Sequence, residues 1–237
     1  MTPPPSAIRR ILSDVLPPLG LSVMAAAALI WASGWTLGVF LGGLLLITLL
    51  IPPAVLRSVD WRGQTVAIGV SVIPILVLWL MAARRTQTTV AEWATCGSVL
   101  VAYALAVAGL AAAFRRIGLS ATVSAALAVV AGLAWLTWPI WLSRTWSGEA
   151  SAASVDWFLT FHPALVINLP HLGQWVEQSV AYHLTDLNQN VPYAPPGSVW
   201  GCVAFHGVAG VALLGAAAWR PARRTDGTAT SPADAVV

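Results

Sequence analysis

The sequence predicts an all-α integral membrane protein. We expect six transmembrane helices with both termini inside, an N-terminal interfacial helix, and a helical extracytoplasmic excursion between helices 5 and 6. The 237 residues are 58% hydrophobic and only 9% charged, whereas soluble domains carry about 25% charged residues. The apolar residues also form runs of about 20, the length that crosses a bilayer. Composition and run length together therefore predict a multi-pass membrane protein.

The first 18 residues predict a leader that lies on the membrane surface. A Pro-rich start precedes apolar residues at the i, i+3, i+4, i+7 spacing of one helix face: Ile8, Ile11, Leu12 and Val15. Arg9 and Arg10 fall on the opposite, polar side. A disordered leader is one alternative. Another is a signal peptide that is cleaved near Ala32-Ser33-Gly34.

Residues 19–142 predict a bundle of five transmembrane helices. The uncharged stretch Leu19–Leu56 is too long for one crossing and divides at Ser33-Gly34 into two. The next three crossings are Gln64–Ala83, Glu92–Phe114 and Ser120–Leu142. A bend is expected at Pro74.

The arginines predict the orientation of the bundle. The chain has twelve arginines and no lysine, a composition typical of a high-GC bacterial source. With six crossings and the N-terminus inside, nine arginines are cytoplasmic and only Arg84, Arg85 and Arg144 are outside. Cytoplasmic loops are enriched in arginine, so this asymmetry predicts an inner-membrane protein with both ends inside the cell.

Residues 143–198 form the only long polar stretch and are predicted to be extracytoplasmic. A first short helix, Ser151–Phe161, should stop at His162-Pro163, because the residue before a proline disfavours the helical region. Amphipathic spacing predicts a second helix over Leu172–Leu184. The sixth crossing, residues 199–219, follows with Ser198 as its N-cap. The polar tail, residues 220–237, is expected to be disordered in the cytoplasm.

Candidate ligand side chains gather on the predicted outer side. They are His162, His171, His183, His206, Cys202 and Glu92. Imidazole, thiolate and carboxylate groups can bind zinc, copper or haem iron, but the spacing of these residues matches no metal motif. The alternative is that the histidines hydrogen-bond the loop backbone. No cofactor is therefore predicted, and a metal or haem stays an open hypothesis.

Two residues inside the crossings carry more specific expectations. His206 is an ionisable group at membrane depth, so it should face the bundle and hydrogen-bond the external segment or the outer end of the fourth helix. Cys96 and Cys202 should lie at comparable depth, where an oxidising compartment could join them.

The sequence assigns no catalytic residue. It lacks a Gly-x-Ser-x-Gly elbow, a His-Glu-x-x-His motif and a phosphate-binding Gly-rich loop. The middle of every crossing lacks Asp, Glu, Lys and Arg, which is evidence against a self-contained ion-coupled transporter. Nucleic-acid binding is not expected, because the arginines flank apolar runs.

The layout resembles that of ABC-2-type exporter permeases: an interfacial N-terminal helix, six crossings with both ends inside, and a helical excursion before the last. The resemblance implies a non-catalytic, permease-like or scaffold subunit in the lipid bilayer. Its partner chains would include an ATPase subunit that supplies the energy. The competing hypothesis is an outer-face metal-binding, haem-binding or enzymatic membrane protein that uses the His/Cys/Glu set.

Overall fold

A computed structural model describes residues 37–58, 61–85, 89–142, 160–166 and 198–219. These residues form five long helices and no strand: α1 Leu37–Arg57, α2 Trp61–Arg85, α3 Val90–Arg116, α4 Ala121–Leu142 and α5 Trp200–Ala218. Each helix is long and apolar enough to cross a membrane. The helical membrane class is confirmed, and the helix ends lie within about three residues of the predicted crossings 2 to 6.

Several predicted elements lie outside the described residues. They are the interfacial helix in residues 1–18, the first crossing, the external helix over residues 172–184 and the tail at 220–237. The count of six crossings therefore stays a prediction. One predicted helix end does fall within the described residues: Thr160 and Phe161 are helical, and the helix ends before His162-Pro163 as predicted.

The ends of α3 follow from local hydrogen bonding. At its start, the Thr89 hydroxyl accepts from the Glu92 amide at 3.3 Å, and the Glu92 carboxylate accepts from the Thr89 amide at 2.8 Å. This reciprocal capping box satisfies two amides that the helix leaves unpaired. After Arg116 the chain turns through Gly118, whose φ of +97° favours glycine, and α4 begins three residues later.

The predicted N-cap of the last helix was wrong by one residue. Val199 occupies the cap position and offers no side-chain hydrogen bond. Ser198, one residue earlier, nevertheless accepts from the Trp200 amide at 3.2 Å through its hydroxyl. The serine therefore satisfies an amide in the first turn of the helix without being the cap residue itself.

Helices α1 and α3 are the central helices of the bundle. In their most apolar windows 61% of the residues are buried, against 17% for α5. The largest helix interface joins α3 to α5, and the two run parallel: Gly207 lies beside Ala102, and Leu213 lies beside Gly109. Small residues allow this close approach, as Gly109 and Gly210 do where the two backbones meet.

The helices alternate in direction, so the bundle has two distinct ends. Helices α1 and α3 end on the same side of the bundle. We call this side the arginine end, because Arg57, Arg62, Arg115 and Arg116 lie there. The other end, where α3 and α5 begin, is the histidine end. It includes the described segment 160–166 and also Arg84 and Arg85, which the sequence marked as an exception to the charge asymmetry.

Candidate functional site: a buried histidine cluster

Five residues from three parts of the chain meet at the histidine end. We call them the histidine cluster: Trp135 of α4, Cys202 and His206 of α5, and Phe161 and His162 of the segment 160–166. Both histidines are buried; His162 is 1% and His206 4% exposed. A buried polar ring needs partners, so its hydrogen bonds define what the cluster can do.

Both ring nitrogens of His206 have partners. The indole N–H of Trp135 donates to His206 Nε2 at 3.2 Å. Nε2 is therefore the acceptor, and the proton must sit on Nδ1. That nitrogen lies 3.0 Å from the Cys202 carbonyl oxygen and 3.5 Å from Cys202 Sγ. The arrangement holds His206 neutral as the Nδ1–H tautomer.

His162 forms the complementary pattern with the other tautomer. The Leu165 amide donates to His162 Nδ1 at 3.2 Å, so the proton sits on Nε2. Nε2 donates to the Trp135 carbonyl oxygen at 3.0 Å. Burial lowers the pKa of His162 to about 3, because the charged imidazolium loses its hydration. His162 is therefore also neutral at ordinary pH.

The sequence explains why the Trp135 carbonyl needs this donor. In a regular α-helix a carbonyl accepts from the amide four residues later, and the residue four positions after Trp135 is Pro139. Proline has no backbone N–H. In an apolar bundle an unsatisfied carbonyl is costly, and His162 supplies the missing donor from a segment 27 residues away.

The cluster also holds the segment 160–166 to α5. The Cys202 thiol donates to the Phe161 carbonyl oxygen at 3.3 Å. The aromatic rings pack closely: the Phe161 and Phe205 centroids are 5.1 Å apart, and the Trp135 and His162 centroids are 5.8 Å apart. Such pairs add stabilisation beyond the area they bury. The segment is thus fastened by polar bonds and ring packing together.

A second polar contact lies deeper in the bundle. The Tyr103 hydroxyl of α3 lies 2.8 Å from Thr48 Oγ1 of α1 and 3.4 Å from the Gly132 carbonyl oxygen of α4. The rings of Tyr103 and His206 pack in a T-shaped arrangement, with 5.6 Å between their centroids. Together with the histidine cluster, these contacts tie α1, α3, α4 and α5 to one another.

The structure unites some of the predicted site residues and separates others. His162, His206 and Cys202 meet in the histidine cluster, whereas Glu92 serves the capping box of α3. His171 and His183 lie outside the described residues. Among the described residues, no group of three or more His, Cys, Asp or Glu side chains is placed to hold a metal ion.

The expectations for His206 and the cysteines were partly right. His206 faces the bundle, as predicted, but its side-chain partner is Trp135 of the predicted fifth crossing rather than the fourth helix.

Cys96 and Cys202 are buried and free. The parallel contact of α3 with α5 places Tyr103 beside His206, an offset of 103 residues. The same offset places Cys202 opposite residue 99 of α3. Cys96 is within one helical turn of residue 99, so the two cysteines do lie at comparable depth.

Sequence reasoning missed the tryptophan at the centre of the cluster. Trp138 is only 4% exposed, and Trp135 is partly buried in the bundle. The sequence signal that could have indicated its role was Pro139. This proline has no backbone amide, so the carbonyl of Trp135 four residues earlier needs another hydrogen-bond donor.

Comparisons with known proteins give no relative from which a role could be transferred. No protein-family model matches the chain. No curated protein and no solved structure shows significant similarity to it. The chemistry of the bundle itself must therefore indicate the function.

Proposed function

We propose that the chain is a non-catalytic, permease-like or scaffold subunit of a membrane assembly that works with partner chains. The observation that carries the proposal is the histidine cluster. Each ring nitrogen of His162 and His206 is used in an internal hydrogen bond. A general base or a metal ligand needs a nitrogen lone pair that can reach substrate or metal, and here those lone pairs accept protein N–H groups. The arrangement favours a structural role.

The distribution of charge supports the same proposal. In the described helices every Asp, Glu and Arg lies within the terminal turns: Arg57, Arg62, Arg84, Arg85, Glu92, Arg115 and Arg116. Proton relays and ion-coupled carriers need ionisable groups at membrane depth that can exchange a proton or ion, and both ring nitrogens of His206 are used in internal hydrogen bonds. A subunit that takes its energy from a partner ATPase does not need such groups, which agrees with the resemblance of the predicted layout to ABC-2-type exporter permeases.

The proposal includes an orientation in a bacterial inner membrane. The arginine end faces the cytoplasm, and residues 143–198 lie outside. The grouping of Arg57, Arg62, Arg115 and Arg116 at one end supports this orientation through the enrichment of arginine in cytoplasmic loops. A reporter that works only in the cytoplasm should be active when fused after Arg116 and inactive at Ala153. Activity at Ala153 would show that the orientation is the opposite of the one proposed.

The functional test is purification of the full chain in a mild detergent. We expect a stoichiometric partner polypeptide, with no bound metal by elemental analysis and no haem absorption band. His206→Gln, which keeps an acceptor for the Trp135 indole, should purify with the same partner in the same amount. A homogeneous isolated chain that turns over a substrate by itself would contradict the proposal.

A second function has one specific observation in its favour. His162, His206 and Cys202 do meet in one cluster, as an outer-face metal or haem protein would require. Metal binding there would have to displace the Trp135 indole from His206 Nε2 or the Leu165 amide from His162 Nδ1. A stoichiometric metal or a haem band that His206→Gln abolishes, with the fold intact, would establish this function instead.

A further inference from the structure

A polar cavity opens at the arginine end, far from the histidine cluster. Its volume is about 250 Å³, and it lies between the ends of α1, α3 and α5 and the start of α2. Its lining residues are Leu56, Ser58, Gln64, Ala112, Arg115, Arg116 and Ala217. The volume is below the roughly 300–1,000 Å³ of sites that enclose a whole small molecule. A compact polar group fits the cavity better than a complete substrate.

The charged residues that the structure describes in and around this cavity are arginines. Arg115 and Arg116 line it, and Arg57 and Arg62 lie at the same end of the bundle. No acidic residue occurs at this end within the described ranges; Asp60 falls in the gap between α1 and α2. Arg115 uses Nη1 to donate to the Leu119 carbonyl oxygen at 2.8 Å, and a guanidinium has further N–H groups to offer. Such a cavity selects an anion.

The donor types in the cavity match a phosphate group. Guanidinium groups bind phosphate oxygens through short, charge-assisted hydrogen bonds, and the Ser58 hydroxyl and Gln64 amide add neutral donors. Leu56, Ala112 and Ala217 add apolar groups to the lining. A lining with both donors and apolar side chains suits a ligand with a charged head and an apolar body.

We propose that this cavity binds the phosphate headgroup of an anionic phospholipid. Basic pockets between transmembrane helices are known to receive such headgroups. The position of the cavity, where four apolar helices reach the polar boundary, favours a lipid over a free phosphate ion from solution. The site is independent of the proposed partner chains and of the histidine cluster.

The test measures lipid binding to the full chain in detergent. Native mass spectrometry with added phosphatidylglycerol or phosphatidylcholine reports the bound lipids for the wild type and two variants. Arg115→Gln/Arg116→Gln removes both charges from the cavity. Arg62→Gln is the control, because Arg62 lies at the same end but stacks 5.5 Å over the Trp61 ring and does not line the cavity.

The wild type should bind phosphatidylglycerol at least about tenfold more tightly than phosphatidylcholine, and the double variant should lose most of that preference. Arg62→Gln should keep it. Thermal melting of each variant confirms that the fold is retained. Equal binding of the two lipids, or an equal loss in Arg62→Gln, would overturn the proposal. Competition by millimolar inorganic phosphate, with no preference between lipids, would assign the site to free phosphate and overturn the lipid assignment.

Discussion

The hydrogen bond from His162 to the Trp135 carbonyl can be tested by replacing His162, which donates it, and Pro139, whose missing amide makes it necessary. His162→Leu removes the donor that lies 3.0 Å from this carbonyl. Pro139→Ala restores the backbone amide that a regular helix would use instead. If our explanation is right, the second substitution should offset part of the damage done by the first.

The size of the effect follows from counting unsatisfied groups. His162→Leu leaves one backbone group without this donor, the Trp135 carbonyl. The Leu165 amide keeps a partner, because it also donates to the backbone carbonyl of residue 162 at 3.2 Å. A buried group without a partner costs about 1–3 kcal/mol, so the single variant should lose about that much unfolding free energy. In the Pro139→Ala background the restored amide serves the Trp135 carbonyl, so most of this cost should disappear. The difference, about 1–3 kcal/mol, is the coupling energy of the cycle.

The assay is reversible unfolding of the full chain in mixed detergent micelles, followed by tryptophan fluorescence, for the wild type, both single variants and the double variant. His162→Gln is the matched control, because its side-chain amide can still donate to the Trp135 carbonyl. Additive costs, with a coupling energy below about 0.5 kcal/mol, would refute the idea that His162 compensates for Pro139.

Three further predictions concern the same bundle. A methyl group at Gly210 would lie 2.6 Å from the backbone nitrogen of Ala106, whereas Gly215 has nothing within 4 Å; Gly210→Ala should therefore cost about 1–3 kcal/mol in thermal or denaturant unfolding and Gly215→Ala nothing. His206→Leu strands the Trp135 indole N–H and should cost about 1–3 kcal/mol, with His206→Gln largely neutral by the same measurement. Burial lowers the pKa of His162 from its ordinary 6.5 to about 3, so below pH 6.5 the unfolded chain binds the extra proton. Stability should then fall with pH down to about 3, by about 2 kcal/mol between pH 7 and pH 5, and His162→Asn should remove that part of the slope.

The helices were predictable because their signal is strong and local. Each apolar run of about 20 residues is bounded by charged or turn-forming residues, such as Arg57 before α2 and Gly118 after α3. Hydrocarbon tolerates only backbone whose hydrogen bonds are satisfied, so such a run must be helical. The capping box at Thr89 and Glu92 is equally local. The sequence nevertheless suggested a ligand role for Glu92, because a carboxylate alone does not indicate which partner it has.

The packing faces were harder to predict. A soluble helix shows its buried face through apolar periodicity, but a transmembrane helix is apolar on the lipid side as well. In α4, Trp135 belongs to the histidine cluster, whereas Val130 is exposed. Both are apolar residues, so the sequence does not distinguish the packed face from the exposed one. The link from α4 to His206 spans 71 residues. No local pattern carries that information.

The histidine cluster also restricts how the bundle can change shape. Trp135 engages His206 with its indole N–H and His162 with its carbonyl oxygen, so a rotation of α4 would break both bonds inside an apolar environment. Helix α2 is bonded to a different helix, through the hydrogen bond from the Trp79 indole to the Trp93 carbonyl oxygen of α3 at 3.1 Å. Polar bonds inside hydrocarbon are costly to break. If a partner chain drives a conformational change, α4, α5 and the segment 160–166 should therefore move as one unit.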